Sequence, residues 1–157
     1  MTKTVFITGG SRGIGACAVE EFSRRGYNVA FTYLNSKENA ENLAKKTGAC
    51  PILCDVSNSS DVNKAIELAT STFGKIDILI NNAGIGEFAL FTDITDEMWH
   101  KMLNTNLSSA FYASRAVLPQ MISRKDGVII NISSMWGQVG ASCETHYSVS
   151  KAGLQKR

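Results

Sequence analysis

Five short runs of β-branched and aliphatic residues are spaced along the chain: TVFIT (4–8), YNVAFTY (27–33), CPILCDV (50–56), KIDILIN (75–81) and GVIINIS (127–133). Each is followed by a glycine, asparagine or serine turn signal, as buried strands are. Between the first four, apolar residues recur three and four apart, at Ile14, Cys17, Ala18 and Phe22 and again at Val62, Ala65, Ile66 and Ala69. That is the period of an amphipathic helix. The order is therefore βαβαβαβ, a long helical stretch, then β. Near-continuous apolar strands separated by helices imply a parallel sheet covered on both faces and joined by right-handed crossovers. The fold class is α/β, a doubly wound parallel sheet of Rossmann type, and ligands of such sheets sit at the carboxyl ends of the strands. Thr95 to Lys125 reads as one or two helices, with a break expected near Asn106 because Asn104 and Asn106 are poor helix formers.

Composition narrows the function classes. A chain of 157 residues suits one domain able to bury about 70% of its unfolded surface. The net charge of +2 is small and the basic residues are scattered, so neither nucleic acid nor an acidic membrane is an expected partner. No apolar run approaches the roughly 20 residues that span a bilayer. A strand-like run begins within two residues of Met1 in place of a signal sequence, so a cytoplasmic location is expected. Cys17, Cys50, Cys54 and Cys143 show no Cys-x-x-Cys spacing; they read as free, mostly buried thiols of a reducing compartment, with no metal site.

The first strand runs into TGGSRGIG, with Gly9, Gly10, Gly13 and Gly15. The spacing is neither G-x-G-x-x-G nor a P-loop, but the physics is related. Glycines let backbone approach a pyrophosphate, and a helix opening at Gly13 offers unpaired amides and a positive dipole end. Arg12 lies in this turn, and the end of the second strand, FTYLNSK, lacks the acidic residue that would hold a ribose 2′-hydroxyl. That combination favours a 2′-phosphate, hence NADP(H); the alternative is that Arg12 is a solvated turn residue.

Taken with NNAG at Asn81 to Gly84, Ser134, and Tyr147-x-x-x-Lys151, the glycine turn makes the sequence resemble the short-chain dehydrogenase/reductase family from the first strand to Leu154. The resemblance implies that Gly9, Ser11, Arg12, Gly13, Ile14 and Gly15 bind cofactor phosphates, and that Asp55 and Val56 lie beside the adenine. It implies that Asn82, Ala83 and Gly84 pass under the cofactor, with Asn81 tying neighbouring strands. Asn106, Ser134, Tyr147 and Lys151 match the family's catalytic tetrad, Tyr147 and Lys151 also touching the cofactor.

The residue types suit ketone reduction, in which negative charge develops on oxygen as hydride arrives and a proton donor must stand beside it. A phenol has a free pKa near 10; a neighbouring cation stabilises the phenolate and lowers it. Lys151, four residues beyond Tyr147, shares a helix face with it. Ser134 would hold the substrate oxygen by a hydrogen bond, or serve only as a turn serine. By the family analogy Asn106 would use the helix break to hold a water that links Lys151 to solvent. His100 and His146 read as non-catalytic, with His146 at the border of the substrate, and Met98, Trp99 and Met102 as a packing stripe.

Within the family, INNAGI and NTNLSSAFYASRAVLPQM look most like the 3-oxoacyl-acyl-carrier-protein reductase branch, which implies a carrier-bound ketone. Trp136, Gly137 and Ala141 to Glu144 are similar to the reductases of 5-aminopentanone-modified elongation factor P, which would make that protein a partner. Glu144 would suit an amine there, or be a solvated loop charge. The family also implies a homo-oligomer, dimer or tetramer, for a complete protein.

The chain stops six residues after Lys151. Residues 1–157 are therefore expected to form a single NADP-binding domain lacking the family's last strands, helix and substrate loop, with the polar ending Gln155 to Arg157 departing from the family run. GVIINIS would then be an unpaired sheet edge. Two readings stand: the cofactor half and tetrad of an NADPH-dependent ketoreductase, or a catalytically silent nucleotide-binding remnant.

Overall fold

The computed structural model describes residues 2–155; the last two residues of the polar ending lie outside them. Five strands, β1 (Thr4–Ile7), β2 (Asn28–Tyr33), β3 (Cys50–Leu53), β4 (Ile78–Asn81) and β5 (Val128–Asn131), form one sheet in the order β3-β2-β1-β4-β5. Every pairing is parallel. Helices α1 (Gly13–Arg24), α2 (Lys37–Thr47) and α3 (Ser59–Phe73) connect the first four strands. The sequence-expected α/β doubly wound sheet is what forms.

Alternation along each strand splits the core into two layers. Val5 and Ile7 of β1 point to one face with Val29, Phe31 and Ile80, where Val19 of α1 and Ala40 and Leu43 of α2 cover them. Phe6 points to the other face with Ala30, Ile52 and Leu79, packed against α3 through Val62, Ala65, Ile66 and Ala69. That second layer is completed by Ala113, Val117 and Met121 of α5 (Ser109–Arg124). With helices on both faces, β1 has no exposed residue. β5 forms an edge, with Val128 and Ile130 partly open to solvent.

The stretch from Thr95 divides as the asparagines suggest. Thr95 Oγ1 caps α4 (Asp96–Leu103) by accepting the Met98 N–H at 3.2 Å. A π-helical turn (Asn104–Ser108) follows, then α5, which tolerates Pro119. The one-residue widening of a π turn is a common way of re-aiming side chains within a helix. Here it turns Asn106 into the interior, 1% exposed. Helix α6 (Thr145–Gly153) packs against α4 and this turn.

One expectation needs correction, and the apolar stripe of α1 is buried unevenly. In α1 the buried positions are Gly15 and Val19, with Ala18 and Phe22 half-buried, while Ile14 and Cys17 are exposed. The helix approaches the sheet through glycine, which rotates its first turn and leaves Ile14 facing the carboxyl-end cleft. Nor are the thiols mostly buried: only Cys54 is, Cys50 and Cys143 are half-buried, and Cys17 is exposed. Burial pushes the Cys54 thiol up to about 12, helped by the charges of Asp61 and Asp55. Among the described residues no helix is long and apolar enough to cross a membrane.

Candidate active site

The chain runs outward from β1 to β3, then returns to place β4 on the other side of β1. This reversal is a topological switch point, where a crevice opens beyond the strand ends. A cleft of about 690 Å³ lies there. Its walls are the glycine turn, the residues ending β2 (Thr32 to Ser36), Cys54 to Ser57 beyond β3, Asn82 to Ile85 beyond β4, and Lys101 and Thr105.

Local hydrogen bonds fix the glycine turn. Gly9 donates its N–H to Thr32 Oγ1 at 3.0 Å, and Gly10 donates to the Thr32 carbonyl at 2.9 Å. Asn82 Nδ2 donates to the carbonyls of Thr8 and Gly9, both at 3.0 Å, while Thr8 Oγ1 accepts the N–H groups of Asn82 and Ala83. Backbone passes so closely that a Cβ at Gly9, where φ is +67°, would lie 2.9 Å from Ala83 Cα. At Gly13 φ is +56° and the space a side chain would take is open. Arg12, the residue before α1, makes no side-chain cap, and the first turn of α1 carries no acidic group. The amino end of that helix is thus left for an anion.

These features fit a dinucleotide. Gly9, Ser11, Arg12, Gly13, Ile14 and Gly15 border the space beside the helix end, and Asp55, Val56, Asn82, Ala83 and Gly84 line the rest of the cleft. The Asp55 carboxylate accepts from Ser57 N–H at 2.9 Å and Ser57 Oγ at 2.7 Å, just beyond β3. No carboxylate stands among the cleft residues that end β2.

A smaller pocket of about 420 Å³ adjoins this cleft, sharing Ile14, Asn82, Gly84 and Ile85 with it. Ser134, Tyr147 and Lys151 all line it, together with Trp136 and Glu144. Both members of the Tyr147 and Lys151 pair lie on α6, with the lysine Nζ 5.8 Å from the phenol ring centroid. Lys151 is 5% exposed and donates to the Ile132 carbonyl at 2.9 Å. Burial disfavours its ammonium and moves its pKa below the usual lysine value. Ser134 opens a short 3₁₀ turn (Met135–Gly137), its Oγ accepting the Trp136 N–H at 3.2 Å. Ser133 Oγ donates to the Lys151 carbonyl at 2.8 Å, joining this turn to α6.

Asn106 lies beneath the pocket instead of lining it. Its Oδ1 accepts the Ile85 N–H at 2.8 Å, and its Nδ2 donates to the Ile85 carbonyl at 2.9 Å and to Ser150 Oγ at 3.0 Å. It meets Lys151 across Gly84, where a Cβ would stand 3.4 Å from both Asn106 Oδ1 and Lys151 Nζ. Asn81 links strands as expected, donating to Asn131 Oδ1 of β5 at 2.9 Å. His146 does not border the pocket: it is wholly buried, and among the described residues neither ring nitrogen has a hydrogen-bond partner. His100 is exposed, and of the Met98, Trp99 and Met102 stripe only Met102 is fully buried.

Thr8, Thr32, Ser133 and Ser150 escaped the sequence reading. Their only signal was a hydroxyl at or just beyond a strand end or beside the tyrosine, and their partners are distant in sequence, apart from the Tyr147 carbonyl that accepts from Ser150.

The fold and the joined pockets define a doubly wound α/β protein with a tyrosine–lysine pair beside its switch-point cleft. Residues 3–156 match the model of the short chain dehydrogenase family, and the chain belongs to that family. It is 37% identical over 159 residues to a 3-oxoacyl-acyl-carrier-protein reductase of Staphylococcus aureus strain Mu50, covering 98% of this chain and 65% of that one. It is also 37% identical, over 153 residues, to an acetoacetyl-CoA reductase of Shinella zoogloeoides, covering 98% of this chain and 64% of that protein. A crystal structure from Sinorhizobium meliloti 1021, assigned as a short-chain alcohol dehydrogenase, superposes with a TM-score of 0.90 at 30% identity, covering 98% of this chain and 63% of that chain. The chain thus spans about 65% of the length of the curated relatives it matches.

Proposed function

We propose that this chain carries the cofactor site and catalytic groups of an NADPH-dependent ketoreductase whose substrate is a 3-oxoacyl thioester on an acyl carrier. The observation that carries the reading is the shared pocket of Ser134, Tyr147 and Lys151 beside the glycine-turn cleft. The names of the S. aureus and S. zoogloeoides relatives support the substrate class. Arg12 in the turn and the lack of a carboxylate at the end of β2 support the 2′-phosphate.

Bound nicotinamide would supply the hydride. Gly9, Ser11, Arg12, Gly13, Ile14 and Gly15 would hold the phosphates, Asp55 and Val56 the adenine end, and Asn82, Ala83 and Gly84 the stretch between. The Ser134 hydroxyl orients the substrate carbonyl by donating to its oxygen. As charge builds on that oxygen, the Tyr147 O–H delivers the proton that completes the alcohol. The Lys151 ammonium, itself 5% exposed, stabilises the phenolate left behind. Asn106 holds Ile85 and Ser150 in register, so the loop beyond β4 and the tyrosine helix keep their spacing.

Glu144 and Trp136 on the same pocket favour a second reading, in which the ketone bears an amine, as on aminopentanone-modified elongation factor P. Self-association through α5 belongs to the proposal as well: Phe111, Leu118 and Ile122 are exposed on one apolar groove there. The test is oxidation of NADPH by the purified chain with acetoacetyl thioesters, set against an amino ketone. Turnover abolished by Tyr147→Phe supports the reading; nucleotide binding with no turnover of any ketone assigns the chain to binding alone.

A further inference from the structure

Among the described residues three charged side chains line the 690 Å³ cleft: Arg12 on the glycine turn, Asp55 beyond β3, and Lys101 in the last turn of α4. Asp55 is already engaged by Ser57. Lys101 is exposed, and among the described residues no carboxylate lies within ion-pairing distance of it. Thr105, four positions on, lines the same cleft, so one face of the α4 and π-turn stretch forms a wall of it. The next residue, Met102, is buried in the interior, which fixes the orientation of this face.

An ammonium on a flexible stem, at the rim of a concave cleft, raises the local concentration of anions and can follow a phosphate without a fixed fork geometry. We infer that Lys101 is a second cationic contact for a phosphorylated nucleotide, reaching it from the α4 wall while Arg12 acts from the glycine turn. The inference rests on the cofactor reading proposed above. A lysine near a helix carboxyl end also favours the helix dipole, a role that would show in stability and leave affinity untouched.

Calorimetric titration of the chain with NADPH and with NADH, at low and high salt, separates the two. Lys101→Gln is expected to weaken NADPH about three- to tenfold and to flatten its salt dependence, with Lys101→Arg restoring most of the affinity. An equal loss for NADH places the contact at the pyrophosphate; a loss confined to NADPH places it at the 2′-phosphate. Wild-type binding with unchanged affinity in Lys101→Gln overturns the inference and leaves the cofactor reading standing, even where the variant is less stable. Failure of the wild type to bind either nucleotide removes both.

Discussion

The tightest backbone approach in the cleft wall is at Gly15, and substituting it by alanine tests the turn directly. The added methyl would collide with the Gly9 carbonyl oxygen, stand 2.6 Å from Asn82 Nδ2 and lie 3.0 Å from Gly10 Cα. None of these yields easily. Gly9 is itself pressed against Ala83, and Asn82 Nδ2 holds the Thr8 and Gly9 carbonyls at 3.0 Å each. Overpacking a closed site costs about 1–3 kcal/mol, and losing the two Asn82 bonds adds roughly 0.5–1.5 kcal/mol each. Better helix propensity returns up to about 1 kcal/mol, so the net loss centres on about 3 kcal/mol. Gly13→Ala is the control, since it meets nothing within 4 Å and carries only the strain of a φ of +56°, worth about 1–2 kcal/mol. Urea unfolding followed by circular dichroism gives both values by linear extrapolation, and titration with NADPH then reports whether the turn still accepts a nucleotide. Equal stability of the two variants, or a Gly15→Ala chain that binds nucleotide as wild type does, would refute the close-packed cradle.

Two further outcomes follow from buried charges. Asp77 is 2% exposed, accepts the Thr4 N–H at 2.8 Å and pairs with Lys75 at 2.8 Å. Burial alone would raise its pKa, yet Lys75, the Thr4 N–H and Arg124 together hold it below the ordinary carboxylate value of 3.8. The unfolded chain therefore binds the proton first, and the stabilisation is complete above that value and lost as pH falls through the folded pKa. Asp77→Ala should lower the unfolding free energy by about 3 kcal/mol at neutral pH and flatten the acid limb of a urea-midpoint profile; an unchanged profile would contradict it. Lys151 carries the opposite sign. Its folded pKa is depressed by burial, so charge burial costs stability below that pKa and the cost disappears as pH rises through it towards the ordinary value. Lys151→Met should leave stability at neutral pH within about 1 kcal/mol of wild type and remove the alkaline gain, while any ketone turnover falls at least about 100-fold; a variant that turns over normally would end the tyrosine–lysine mechanism.

The succession of strands and helices along the chain and the break at Asn106 were legible because each depends on local period or on residues that the helix rejects, whereas the order of strands across the sheet was not. The spacing of Tyr147 and Lys151 was legible for the same reason, a fixed rise per residue. What periodicity does not carry is which residue of an amphipathic stripe meets a particular neighbour. Ile14 and Cys17 fit the helical stripe, yet α1 packs through Gly15 and Val19, because the contact with the sheet is set by how closely the glycine turn must pass Asn82. Thr8 and Asn82 are 74 residues apart, and a hydroxyl at a strand end has no pattern that announces such a partner. Lys101 was invisible for a related reason, since its place on the cleft depends on how α4 packs, with Met102 buried beside it.

That turn also explains why an amide, and not an aliphatic residue, stands inside the long helical stretch. An unpaired amide at 1% exposure would cost about 1–3 kcal/mol, but Asn106 finds partners on both sides of it: the N–H and carbonyl of Ile85, and Ser150 Oγ. Ser150 Oγ in turn donates to the Tyr147 carbonyl at 2.7 Å. One side chain thus spans from the loop that borders the switch-point cleft to the helix that carries the tyrosine. An apolar residue there would fill the volume and leave the Ile85 backbone groups unpaired. The spacing between the two pockets would then depend on van der Waals contact alone, which fixes separation but not register. A polar residue at this place in the core suits the chemistry proposed for the site, which needs two separately built walls held in a single geometry.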